Sequence, residues 1–338
     1  MESNRRQFLK TAAATAVGLP LFAVPKAAIA APTKKSAPET AVKALFDSLT
    51  PVQKKEICFD WDYIDKTRGL LRSHVSNNWQ ITKPTITGAD FYTKKQQGIV
   101  HDVFKGLINP EWHARIETQL RDDTDGAEWG KYQSIAIFGE PGTDKFEFVL
   151  TGRHQTLRAD GNTQDHVAFG GPIFYGHAAL GFNEKKDHPE NVFWPQALAA
   201  NKVYTMLDEK QKKVALYEKS PGESAVGFRG DKLGEAPGLR VKEMSSDQKE
   251  EMQKVLGKLI EPFRTEDRDE ALACLKKQGG IDSCVLTFFA DKDIGKDNVW
   301  DNWRLEGPSF VWYFRGDPHV HVWVNVADDP SVKINAKG

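Results

Sequence analysis

From residue 39 onward the chain alternates between two hydrophobic rhythms. After Gln96 the apolar residues Ile99, Val103, Phe104 and Leu107 recur at the spacing of one helical face. Asn109-Pro110 ends that helix, and Pro110 opens another with Ile116 and Leu120 turned inward. Residues 247–261 place Met252, Val255, Leu256, Leu259 and Ile260 on one side, and residues 268–277 predict a further helix. Elsewhere the period is two, or the apolar run is unbroken and rich in Val and aromatic residues. Strands are expected at 132–138 and 145–157, separated by the turn Gly139-Glu140-Pro141-Gly142, and at 285–290, 309–315 and 319–327. Gly316-Asp317-Pro318 folds the last two into a hairpin.

A local phrase marks helix starts: an apolar or aromatic residue, a capping residue, then Gln three positions on. It occurs at Leu49-Thr50-Pro51-Val52-Gln53, Tyr92-Thr93-Lys94-Lys95-Gln96, Leu207-Asp208-Glu209-Lys210-Gln211 and Met244-Ser245-Ser246-Asp247-Gln248. Each predicts a capping box, in which the cap side chain takes a free helix N–H and the Gln reaches back. Helices early, with strands in mid-chain and at the end, predict an α+β fold: an antiparallel sheet with helices at one face or end. Residues 39–338 are expected to form a single domain, helical over 39–125 and sheet-rich over 126–338.

The N-terminus reads differently. Ser3-Asn4-Arg5-Arg6-Gln7-Phe8-Leu9-Lys10 has the form of a twin-arginine signal. An Ala-rich apolar stretch follows to about Pro25, and Ala28-Ile29-Ala30 has the small-x-small pattern cut by signal peptidase. The expected partners are therefore the twin-arginine export machinery and signal peptidase, and the expected location is periplasmic or secreted. Residues 31–38 are expected to be a disordered polar linker. No later segment approaches the ~20 apolar residues of a spanning helix, so no stable membrane span is expected after cleavage. A net charge of -1 gives no reason to expect nucleic acid as a partner. An oxidising compartment would let Cys274 pair with Cys284, leaving Cys58 as a small buried hydrophobe.

The last strand carries the chemistry. In His319-Val320-His321-Val322-Trp323-Val324-Asn325-Val326 the two histidines share one face with Trp323 and Asn325, and the valines take the other, buried face. Imidazoles at i and i+2 of a strand can converge on one metal ion. His154, on the face of Phe148 and Leu150, is expected inward and is the third candidate ligand. His177 and then His166 are candidates for a fourth. His74, His101, His113 and His188 are expected at the surface. No nucleophile elbow, Walker loop, dinucleotide fingerprint or haem-attachment motif is present. The spacing of Asp60, Asp62 and Asp65 does not fit a calcium loop.

Several phrases together resemble a bacterial family, the domain of unknown function numbered 3500. They are Leu49 to Gln53, Gly152-Arg153-His154, Pro172-Ile173-Phe174-Tyr175-Gly176, Gly307-Pro308 and His319-Val320-His321-Val322-Trp323. The sequence departs from the family pattern at Arg153, where the family has a histidine, and at Asn325. The resemblance implies no activity. From the residues, the leading expectation is a periplasmic metalloprotein, a metal-dependent redox enzyme holding a transition metal, copper or iron ahead of zinc, on His154, His319 and His321. The alternatives are a three-histidine zinc hydrolase and a non-catalytic periplasmic ligand-binding protein. The substrate, a small molecule, is not specified.

Overall fold

A computed structural model describes residues 31–334 apart from 89, 165, 179–183 and 292. The expected leader, residues 1–30, lies outside the described residues. The first half of the chain runs α1 (Ala37–Ser48), α2 (Pro51–Ile57), β1 (Cys58–Phe59), the small hairpin β2 (Ile64–Asp65) and β3 (Gly69–Leu70), α3 (Lys94–Leu107), α4 (His113–Asp122), β4 (Ser134–Gly139), β5 (Phe146–Gly152), β6 (Gln155–Ala159) and β7 (Ile173–His177). The second half runs α5 (Trp194–Met206), α6 (Glu209–Ala215), β8 (Leu216–Tyr217), β9 (Leu239–Arg240), α7 (Ser246–Ile260), α8 (Thr265–Lys277), β10 (Val285–Phe289), β11 (Asn302–Gly307), β12 (Phe310–Arg315) and β13 (Val320–Val326).

The fold is α+β, built on one large, mostly antiparallel sheet. Its strand order, β1-β4-β5-β6-β7-β13-β12-β11-β10-β8, is the same reading inward from either edge. Each half contributes two helices, a short parallel edge strand, two more helices and a four-stranded meander. The last strands, β7 and β13, meet antiparallel at the centre with Tyr175 opposite Val322. The edges match too: β1 runs parallel to β4 and β8 parallel to β10, while Thr85 bridges to Ser134 as Arg240 does to Val285.

All four capping boxes form. They also explain one another, because the capping glutamines pair within each half. The amides of Gln53 and Gln96 bond reciprocally at 2.9 and 3.1 Å, as do those of Gln211 and Gln248 at 3.1 and 2.8 Å. Each pair ties two helix starts together with buried or half-buried polar groups that satisfy each other. Leu107-Ile108-Asn109-Pro110 recurs as Leu259-Ile260-Glu261-Pro262 at the matching helix ends. There the halves are cross-tied: Asn109 N–H donates to Pro262 O at 2.9 Å and Arg264 N–H to Leu107 O at 3.1 Å.

The expected division into a helical first part and a sheet-rich remainder therefore gives way to two similar halves. Residues 31–38 are not a disordered linker: they form a turn leading into α1, with Pro32 and Pro38 buried and Lys34 Nζ 2.7 Å from Asp144. The expected strand at 145–157 is two strands joined by the tight turn Arg153-His154. His74 is buried and packs edge-on against Trp79, while His101, His113 and His188 are half-buried rather than exposed.

One face of the sheet packs against the helices through residues such as Ile137, Leu150, Trp303, Trp312 and the valines of β13. Each such fully buried large apolar side chain contributes about 1.5–3 kcal/mol. The other face is closed as well. Segments around 59–81 and 226–228 lie over Phe138, Val149, Phe174, Val311, Tyr313 and Trp323. Hence both faces of β13 are buried, and Trp323 and Asn325 are as enclosed as the valines.

Candidate metal centre

The site forms where the β5–β6 turn meets the start of β13. Gly152 and Gln155 close a two-residue hairpin whose second loop residue, His154, has φ near +50°. A left-handed conformation is uncommon for a residue with a side chain. It is held by the His154 N–H bond to Asn78 Oδ1 at 3.0 Å and the backbone bridge from Asn78 to Arg153. The turn directs the His154 ring onto the two imidazoles of β13. His154 Nε2 lies 2.9 Å from His321 Nε2, which lies 2.8 Å from His319 Nε2. His154 and His321 are buried, and His319 is the partly exposed member.

Two carboxylates stand behind the rings. Asp123, the residue closing α4, accepts from His154 Nδ1 at 2.5 Å and from the Ala178 N–H at 2.8 Å. Glu223 accepts from His321 Nδ1 and pairs with Arg315 at 2.6 Å. In the neutral tautomers that donate Nδ1–H to these carboxylates, each ring presents a bare Nε2 lone pair to the other. Lone pairs at such a distance repel, and a cation placed between them removes the repulsion. Carboxylate-oriented imidazoles aimed at one point are the outer shell that metal-ligating histidines use. Metal–nitrogen bonds of about 2.0–2.1 Å in a tetrahedral site set nitrogens roughly 3.3 Å apart, so a small outward movement of the rings accommodates an ion.

The electrostatics agree. Burial, reinforced by the neighbouring rings, pushes His319 down to about 3, and burial also lowers His321, so both rings are neutral at ordinary pH. Burial raises Glu223, but the His321 bond and the Arg315 charge outweigh it and hold Glu223 at about 2. Burial likewise raises Asp123, and its bond to His154 and the charge of Arg153 more than reverse this. Arg153 Nε sits 3.2 Å from Asp123 Oδ1. Beyond it opens a cleft of about 640 Å³, lined by Asn78, Trp79, Asp123, Tyr132, Arg153 and Ala178. The cleft reaches the cluster through Asp123 and Arg153, not through the rings themselves.

A family model described as "Protein of unknown function (DUF3500)" matches residues 32–325. The chain belongs to the DUF3500 family. Neither a curated protein nor a solved structure matches it. In this DUF3500 chain the phrase ending at His154 and the His-x-His of β13, far apart in sequence, meet at one point, and Arg153, where the family pattern has a histidine, turns to Asp123 and the cleft.

The two proposed fourth ligands are not in the cluster. His177 is next door in the sheet, but its register partner is Val320, whereas His321 is opposite Gly176. Side chains directly opposite share a face, so His177 points into the helix-covered side, away from the three rings. There it is buried, with both ring nitrogens lacking a hydrogen-bond partner among the described residues, and burial lowers its pKa to about 4. His166 lies at the far end of β13, its Nδ1 2.9 Å from Asp328. Nine residues of extended chain, roughly 30 Å, separate Asp328 from His319. The expected disulfide is also absent: Cys274 and Cys284 are free, buried thiols, each pushed up to about 12 by burial, and they behave as small apolar groups. Sequence reasoning missed Asp123, Glu223, Arg315 and Asn78. Asp123 stands in an acidic run after an amphipathic helix, and nothing in its spacing points to His154.

Proposed function

We propose that this protein is an exported, periplasmic metalloprotein. It holds one late first-row transition ion through Nε2 of His154, His319 and His321 and acts as a metal-dependent redox enzyme on a small molecule. One observation carries the reading: Nε2 of His154 and Nε2 of His321 face each other at 2.9 Å, each ring oriented from behind by its own carboxylate. All-imidazole ligation suits copper, iron and zinc and excludes a calcium-type ion. Copper or iron is preferred, because the twin-arginine leader of residues 3–10 suits a protein that folds around its cofactor before export. A bound ion with three protein ligands supplies a centre with room for an exogenous ligand.

The chain's own residues have distinct parts. Asp123 and Glu223 fix the tautomers of His154 and His321. Arg315 holds Glu223 ionised. Arg153, braced on Asp123, offers a cation to an anionic group in the cleft. Hydrolysis by zinc-bound water is the weaker reading, since it needs a free carboxylate base and both carboxylates at the site are engaged by imidazoles.

Elemental analysis and visible absorption of protein purified from its native compartment test this reading. About one metal per chain with an absorption band is expected. Stoichiometric colourless zinc would favour the hydrolase, and no metal at all would leave a ligand-binding protein. Export is tested separately: lysine at both Arg5 and Arg6 should retain the precursor inside the cell, and normal export of that variant would remove the twin-arginine step.

A further inference from the structure

The two halves differ in the loop joining the first two strands of each meander. Between β4 and β5 it is the short turn 140–145, and between β10 and β11 it is the longer segment 290–301. The longer loop carries four aspartates, Asp291, Asp293, Asp297 and Asp301, against two lysines, Lys292 and Lys296. Carboxylate oxygens of Asp293 and Asp297 come within 4.8 Å of each other and of Glu184, which arrives from the connection between β7 and α5.

A group of acids at a surface proves nothing alone, but here three carboxylate oxygens are buried and lack a hydrogen-bond partner among the described residues. They are Glu184 Oε1, Asp293 Oδ1 and Asp301 Oδ1. Asp301 is only 1% exposed. Its other oxygen accepts the Ile294 N–H at 2.8 Å, which turns the carboxylate toward the loop, where it feels Glu184, Asp293 and Asp297 together. No Lys or Arg among the described residues forms an ion pair with any of the four. Glu184 packs directly on Gly295: a Cβ there would fall 2.0 Å from Glu184 Oε2. Asp301 is buried, Glu184 and Asp293 are half-buried and Asp297 is exposed; like charges crowded around a buried carboxylate are relieved when a cation or protons offset them.

We propose that Glu184, Asp293 and Asp297, backed by Asp301, bind a calcium ion. Oxygen-only donors of full charge select a hard divalent cation, and several direct carboxylates favour Ca²⁺ over Mg²⁺, which prefers to keep its waters. The ion pins the β7–α5 connection to the β10–β11 loop. That connection leaves β7 at Ala178, whose N–H is held by Asp123 behind the histidine cluster. The site shares no ligand with that cluster and stands whether or not a transition metal binds there.

The test uses the full mature protein, stripped with a chelator and melted with Ca²⁺ or Mg²⁺ added back. Calcium at ten or more times its Kd should raise Tm by at least about 2–4 °C, with Mg²⁺ at least tenfold weaker. Replacing both Asp293→Asn and Asp297→Asn should abolish the calcium shift while leaving the stripped protein as stable or more so, because repulsion is relieved. His319→Ala should leave the shift intact. Trp300, adjacent to Asp301, should sensitise Tb³⁺ emission that Ca²⁺ displaces, a readout independent of how the variants fold. A Tm indifferent to Ca²⁺, a double variant that keeps the shift, loss of the shift in His319→Ala, or Tb³⁺ that Trp300 does not sensitise would each overturn the site.

Discussion

The two halves end in the same joint and use it differently. In each, a helix-closing residue reaches across to a two-residue hairpin and to the end of the central strand. In the first half Asp123 bonds the His154 side chain and the N–H of Ala178, just past β7. In the second half Gln278 closes α8, accepts the Ser309 N–H at 2.6 Å, and donates to the carbonyl of Ala327, just past β13. His154 and Ser309 occupy corresponding positions, the second residue of each turn. One joint is thus knitted by bonds from a glutamine amide to backbone groups. The other carries imidazoles and a carboxylate on the same scaffold. The lesson is that the histidine cluster is not needed to hold this corner of the fold together, since the other corner manages without one.

The sharpest way to break this comparison is to remove a ligand. Alanine at His154, His319 or His321 should each abolish metal retention, measured by elemental analysis after dialysis, while the far-ultraviolet circular dichroism stays that of wild type. Alanine at His166, which sits at the other end of β13, should leave the metal content unchanged. Metal lost in His166→Ala, or kept in all three others, would contradict the cluster as a site.

Next in size is the outer shell. Asp123→Asn and Glu223→Gln keep shape but weaken the hold on Nδ1, and each should reduce metal affinity by about 10- to 100-fold in a competition titration. An unchanged affinity would mean that the carboxylates serve only the fold.

The opposite corner offers the converse. Gln278→Ala removes the acceptor of the buried Ser309 N–H and one of the two donors to the Ala327 carbonyl, which keeps Ser309 Oγ; leaving the N–H unpaired costs about 1–3 kcal/mol. Denaturant unfolding should show a loss in that range with no change in metal content. If Gln278→Ala strips the metal, the two joints are coupled rather than independent.

The local devices were readable from the chain and the long-range ones were not. Capping boxes, the β12–β13 hairpin and the shared face of His319 and His321 all depend on neighbours within a few residues, where spacing decides geometry. The turn at Arg153-His154 escaped because it lacks the Asn-Gly or Asp-Gly signature and joins two apolar strands into what reads as one. The face bearing His321 was expected to be polar or wet, yet segments from residues 59–81 and 226–228 bury it, a tertiary fact that no strand pattern records. Asp123 and Glu223 meet their imidazoles from 31 and 98 residues away. The matching of the halves survives in sequence only as paired glutamines and a repeated Leu-Ile-x-Pro, too sparse to reveal the arrangement without the sheet order.

The smallest expected effect concerns a place where the halves are joined, a buried cluster around Arg264 that draws Glu39 from the first half and Asp267 and Glu270 from the second. Arg264 forms a two-pronged pair with Glu39 and touches Asp267 at 2.9 Å. Near them, burial followed by neighbouring carboxylates pushes Glu270 up to about 9, while it accepts the Phe169 N–H. The sign follows from linkage. An acid whose folded pKa is raised keeps its proton in the native state after the unfolded chain has lost it, so stability falls as pH rises from the unfolded value, near 4.5, to about 9. Histidines held neutral by burial act oppositely, but only below their unfolded value of about 6.5, and buried thiols contribute only near and above about 8.5. Between pH 7 and 8 Glu270 holds its proton throughout and contributes a slope of at most about 1.4 kcal/mol per pH unit, while Glu147, Asp267 and Asp301, each raised to about 7 by burial, add to it mainly at the lower end of the interval. Wild type should lose stability over that interval, and Glu270→Gln, which keeps an oxygen for the Phe169 N–H and cannot ionise, should make the profile shallower. Equal slopes in the two proteins would show that Glu270 is already ionised in the folded state.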